Sequence, residues 1–296
     1  MKKVLLFAAI LVVIAGVIAN IYLWQRYREE PPAPEAFEAE QPAVVDEKLQ
    51  LPGEVEKPVI RYPVPQPPPP VREEIAAEED VVAEPVEPPE PLPSLDESDE
   101  PMREALGEIF DPRKFDELFL VKALVRHFVI TIDNMTARKL PQKYVFTTPP
   151  RGKFLITRDA EENEFIDPEN YRRYVPFVRL AEAVNMQQLV SLYTRYYPLF
   201  QEAYEDLGYP DRYFNDRFVE VVDHLLETPD VKDPVGLERP KVFYTFADPE
   251  LEALSAGRKI LLRMGHDNAS KVKARLRELR RLLAPGTVVP AEVAGE

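Results

Sequence analysis

The stretch "EDLGYPDRYFNDRFVEVVDHLLETPD", residues 205–230, sets five aspartates, three glutamates, a histidine and an asparagine around an apolar stripe. Gly208 suits the left-handed position just past a helix, Tyr209 can pack back, and Pro210 forbids continuation. Asp211 then reads as the cap of a new helix, on which Phe214, Phe218, Val221, Val222, Leu225 and Leu226 make a core stripe. At about 100° per residue, Asp216, Glu220, Asp223 and Glu227 point away from that stripe. Arg217 and His224 fall on one border, and Asn215 lies close to the buried side, where it reads as a structural hydrogen-bonder. Pro229 stops the helix after Thr228. The acidic residues therefore read as a solvated or salt-bridged face. Asp216, Glu220 and His224 share that face at i, i+4 and i+8, a spacing a metal could use, yet exposed carboxylates on an amphipathic helix are far commoner, and no metal is expected.

Helical patterning continues on both sides. Asp111-Pro112, Asp167-Pro168 and Asp248-Pro249 each place an acid at a helix N-cap and proline at the first helical position. "FDELFLVKALVRHFVITI", 115–132, is apolar nearly all round and predicts one central buried helix. Leu189, Leu192, Tyr193, Tyr196, Tyr197, Phe200, Ala203, Tyr204 and Leu207 recur at spacings of three and four, and Pro198 should kink or split that helix near Thr194. Ala269, Val272, Leu276, Leu279 and Leu283 mark a last helix. Residues 153–167 alternate and turn as a small β-hairpin, and 240–246 could supply another short strand. The fold class expected is mainly α, or α+β with a minor β-hairpin, in one globular domain over 94–284 followed by a flexible tail at 285–296.

The N-terminal third is built differently. Val4–Trp24 is a run of 21 residues with Asn20 its only strongly polar member; as a helix it would span about 31 Å. Tyr22, Trp24 and Tyr27 follow at its far end, where amphipathic rings favour a membrane interface. Residues 1–28 thus predict a single-pass signal anchor, the alternative being a signal peptide cleaved after Val17-Ile18-Ala19. The net charge is -15, and residues 29–101 carry 21 acidic and 4 basic side chains. The acidity belongs to this region, so it says nothing about the domain's ligands. Of 32 prolines, 18 lie between Pro31 and Pro101. Residues 29–93 predict a disordered acidic, proline-rich linker, with "PVPQPPPP" favouring polyproline II. Short tails rarely need translocating, and the chain after Arg28 is acidic. Both favour an inner-membrane protein with its C-terminal domain in the periplasm.

Chemistry is sparsely signalled. Cysteine is absent, which excludes disulfides, thiol catalysis and cysteine-ligated zinc. The three histidines are His127, His224 and His266, and no HExxH, GxSxG, GxGxxG or P-loop pattern occurs. Asp133, in "FVITIDNM", should end a helix where its charge opposes the macrodipole, so a nearby arginine is expected to offset it. The candidate functional patch comprises Asp133, Asn134, Asn215, Arg217, Asp223 and His224, with no catalytic residue, cofactor or metal assigned. "SKVKARLRELRRLL", 270–283, is a basic amphipathic helix that could touch anionic lipid, although a docked helix with a basic outer face is the plainer reading. The tyrosine row of 189–207 could stack on sugar rings, but at helical spacing it reads first as core.

The motifs "SLDESDE", "FVITIDN", "YYPLFQEAYEDLGYP", "FNDRFVEVVDHLL", "RPKVFYTFADPELEALSAGRK" and "LLRMGHDN" resemble, in order, a bacterial family known as DUF3014, over about 94–284. That resemblance implies the same architecture of membrane segment, proline-rich spacer and domain, and supplies no catalytic residues. The function expected is a non-enzymatic envelope interaction module on a long spacer, with an unidentified envelope protein as partner and no nucleic acid. The alternatives are an envelope hydrolase working through Asp133, Asp223 or His224, or a domain that binds glycan or anionic lipid.

Overall fold

The computed structural model of the chain describes residues 59–65 and 91–287. The anchor expected at residues 4–24, most of the linker and the end of the tail lie outside the described residues. Among the described residues no helix is long and apolar enough to cross a membrane.

A 3₁₀ turn at Leu95–Glu97 leads into α1 (Asp99–Gly107), α2 (Pro112–Leu118) and α3 (Leu124–Asn134). After a second 3₁₀ turn at Gln142–Tyr144 come β1 (Ile156–Arg158), β2 (Glu164–Ile166), α4 (Glu169–Arg172) and α5 (Val175–Glu182). The long α6 (Met186–Asp206) and α7 (Phe214–Leu226) follow. The chain ends with β3 (Gly236–Glu238), β4 (Thr245–Phe246), α8 (Pro249–Ala253), α9 (Ala256–Arg263) and α10 (His266–Leu283).

The domain is mainly helical with one small antiparallel sheet, ordered β1-β2-β3-β4. The hairpin expected over 153–167 forms, with Ile156 opposite Ile166 and Arg158 opposite Glu164. The strand sought at 240–246 is reduced to Thr245–Phe246, which pairs with β3; "GLE" at 236–238 is too short to show alternation. Ile166, Val235, Leu237, Phe246 and Leu262 form a satellite core under the sheet.

In the main core α10 packs against α5, α6 and α7, and α3 packs against α6 and α7. Phe128 is its hub, its ring meeting Phe200, Phe214 and Phe218 edge-on. The tyrosine row belongs to this core: Tyr193, Tyr196, Phe200 and Tyr204 are buried. The C-terminal helix buries its expected stripe, with Leu279 and Leu283 fully enclosed.

Three expectations fail. Residues 115–132 are two helices. Phe119 turns extended and bridges to Thr147, Leu120 N donates to Phe146 O, and Ala123 adopts the left-handed conformation. A carboxylate from another helix restarts the chain, since Asp99 accepts from the backbone of Ala123 (2.6 Å) and Leu124 (2.8 Å). Pro198 does not split α6, which runs unbroken from Met186 to Asp206. Asp211 does not cap α7. Tyr213 holds the cap position, and Phe214 N donates instead to Gln201 Oε1 at 2.9 Å. Two of the three proline caps hold: Asp111 and Asp248 accept from the first turns of α2 and α8. At the third, Pro168 itself takes the cap position of α4, although Asp167 Oδ1 accepts from Glu169 N at 2.8 Å.

Candidate functional site

Helix α7 carries the chemistry anticipated on it, in a different arrangement. Its apolar face drives Phe214, Phe218, Val221, Val222 and Leu225 into the core, which turns Asn215, Asp216, Glu220 and Asp223 toward the opposite side. That side is not open water. Residues 59–65, "VIRYPVP", lie across it, and the C-terminal end of α10 closes its flank.

Each acidic or amide group on this face has a partner from far along the chain. Asp216 accepts from the backbone of Arg61 (3.0 Å) and Tyr62 (2.7 Å), one carboxylate oxygen to each. Asn215 is fully buried, accepts from Tyr193 OH at 3.1 Å and donates to Tyr62 O at 2.8 Å. Together they bind three polar groups of the backbone where it bends at Arg61 and Tyr62. An asparagine followed by an aspartate suits this, because the carboxylate only accepts while the amide can also donate. Side chains add selectivity. Arg61 pairs with Glu220 at 2.8 Å, and the Arg280 guanidinium lies 5.0 Å from the centre of the Tyr62 ring. Arg280, only 2% exposed, is held by Asp223 (2.7 Å) and Thr287 Oγ1 (2.6 Å). Its planar group is thereby fixed for stacking on an aromatic face.

Next to the seated segment a polar cleft of about 460 Å³ opens between Arg61, Tyr209, Asp211 and Glu220, with Asp133 and Arg217 at its base. The arginine expected to offset Asp133 is Arg217: its Nε is 2.8 Å from Asp133 Oδ1, and it also donates to Asp133 O (2.6 Å) and Thr136 Oγ1 (2.8 Å). It thus neutralises the carboxylate and satisfies a carbonyl at the C-terminal end of α3, both of which the helix dipole leaves negative. Burial, with Asp133 nearby, pushes the Tyr204 hydroxyl up to about 12.

Five of the six residues of the anticipated patch separate into three environments. Asp133 and Arg217 join at the cleft base. Asn215 and Asp223 serve the seated segment, the first directly and the second through Arg280. His224 faces α9, with Nε2 2.8 Å from Ser255 Oγ, and burial together with Arg258 lowers its basicity. Asn134 turns back to donate to Ile130 O at 2.8 Å and joins none of them. Asp133, Asp223 and His224 are thus each held by a different partner: Arg217, Arg280 and Ser255. Among the described residues no group of three His, Asp or Glu side chains is placed to hold a metal. The outer face of α10 is substantially engaged: Lys271 pairs with Glu182, Lys273 donates to Thr228 O, and Arg275 reaches Glu278 and Val184 O.

Asp216 is the main correction on this helix. Periodicity placed it on the wet face, and it is 9% exposed. Arg61, Tyr62, Glu220 and Arg280 were also missed as site residues. One signal was present: Tyr62 and Phe37 are the only aromatics in residues 29–101, and Tyr62 stands beside one of just four basic residues there.

The model of a family described as a protein of unknown function, DUF3014, matches residues 124–280. No curated protein and no solved structure matches the chain. The matched stretch includes every receptor side chain named above, from Asp133 to Arg280, while the seated segment lies outside it.

Proposed function

The chain belongs to the DUF3014 family, and from that premise we propose that its helical domain is a non-enzymatic interaction module that recognises a short peptide segment along α7. In this chain the ligand is supplied in cis by residues 59–65. The observation that carries the reading is the three-point grip of Asn215 and Asp216 on the Arg61–Tyr62 backbone. Backbone contacts give affinity, and the flanking Glu220 and Arg280 give preference for a basic–aromatic pair. In this reading residues 4–24 anchor the chain in an inner membrane, the domain stands in the periplasm, and an envelope protein is the partner. Support for that location is the length of the apolar run and the acidic, proline-rich chain after it.

The test uses the full chain with Arg61→Pro and Tyr62→Pro, which removes both amide donors to Asp216 together with both side chains. A fluorescent peptide of residues 57–67 should bind this variant and not the wild type, whose own segment competes at high effective concentration. Adding Asp216→Ala should abolish binding. A peptide that binds neither form, or both equally, overturns the proposal.

A further inference from the structure

A second groove, distinct from the α7 site, runs between α2, α5 and the 148–152 loop, with a volume of about 480 Å³. Its floor includes the half-buried apolar side chains Ile109, Leu118 and Leu180. Its charge is unbalanced. Arg151 and Arg172 are neutralised by Glu117 and Glu169, and Asp111 is committed to the first turn of α2. Three cations remain without a carboxylate partner among the described residues. Lys114 and Arg179 are exposed and their side chains make no hydrogen bond or ion pair among the described residues, and the guanidinium of the half-buried Arg173 donates only to carbonyl oxygens of 150–152 and to Asn170. An apolar floor under uncompensated positive charge suits a ligand that alternates carboxylates with aliphatic side chains.

We infer that this groove takes residues 71–90 of the same chain, "VREEIAAEEDVVAEPVEPPE". That segment carries eight acids and one base, with Ile75, Val81, Val82 and Val86 interleaved. It is also tied to the domain at both ends: residues up to Pro65 lie along α7, and Leu92 packs on the main core. The 26 residues between them can extend about 85 Å. A domain of this size has a radius of gyration of about 16 Å, so the groove is within reach. Tethering at both ends raises the local concentration of the segment and favours it over a free ligand.

The chain has no cysteine, so a pair can be introduced cleanly. Ala83→Cys and Ala183→Cys, the latter exposed at the groove wall, should form an intramolecular disulfide under mild oxidation at low salt. The rate should fall at least fivefold in 1 M salt and in the added Lys114→Glu, Arg179→Glu background. Because Lys114 and Arg179 are exposed and unpartnered, that background should melt like the parent. Changing Glu78, Glu79 and Asp80 to Lys in the same background should restore the rate, a rescue that a misfolded domain would not give. A cross-linking rate indifferent to salt and to both reversals overturns the inference. So does a product that is mainly disulfide-linked dimer, which would assign the groove to the segment of a second copy.

Discussion

Asp216 and Arg217 are neighbours on one helical turn, and each is defined by a group far away in sequence. Arg217 is 22% and Asp133 16% exposed at the side chain, so the pair is partly shielded from solvent. Removing the guanidinium strands a carboxylate and a carbonyl at the C-terminal end of α3. Arg217→Ala should therefore lower unfolding stability by about 2–4 kcal/mol, somewhat less than for a fully buried pair. Arg217→Lys should recover only part of this in a denaturant titration, since one ammonium cannot reproduce the forked contacts to Asp133 and Thr136. The histidines make a pH-dependent contribution. Burial holds His127 and His224 below the ordinary imidazole value, with Arg258 lowering His224 further. Their folded pKa values lie under the unfolded one of about 6.5, so the unfolded chain takes up protons first. The associated stability is complete above about pH 6.5 and is lost as pH falls through the unfolded value toward the folded ones. Urea midpoints should decline between pH 7.5 and 5.5, and His127→Gln with His224→Gln should flatten that decline.

The helices show why some boundaries were legible and others were not. Proline after aspartate is a local signal, read within one turn, and the caps at Asp111 and Asp248 appear where expected. The break inside 115–132 has no local signal, because its cause is Asp99, some two dozen residues upstream, holding the first amides of α3. Asp99→Ala should therefore act as loss of an N-cap and cost about 1–2 kcal/mol. The start of α7 hid for a similar reason: Gln201 on α6 satisfies Phe214 N, so Asp211 is not needed. Helix α9 meets the end of α3 through Gly257, whose N–H donates to Met135 O at 3.1 Å. A β-carbon there would lie 2.6 Å from Leu225 Cδ2 and 2.9 Å from Met135 O. Gly257→Ala is expected to destabilise by about 1–3 kcal/mol despite its better helix propensity, as read by thermal melting. Hydrophobic period says which face of a helix is buried by its own apolar residues. It is blind to polar faces covered by other segments, which is how Asp216 and Asp223 came to look exposed.

At the scale of the molecule, the seated segment changes how the long N-terminal region is divided. If residues 59–65 and 71–90 both leave the domain, a tether of residues 29–90 separates it from residue 28, about 45 Å as a flexible coil; with 59–65 in place only residues 29–58 do, about 30 Å. The peptide site would then set the domain's reach as well as its partner. All of this rests on the grip of α7 on residues 61 and 62, which hydrogen exchange of the full-length chain tests most directly. The Arg61 and Tyr62 amides, both donating to Asp216, should exchange at least about tenfold more slowly than an unprotected chain of the same sequence. Asp216→Ala should abolish that protection while leaving the amides of α3 and α10 unchanged. Wild-type Arg61 and Tyr62 exchanging at the unprotected rate would contradict the account.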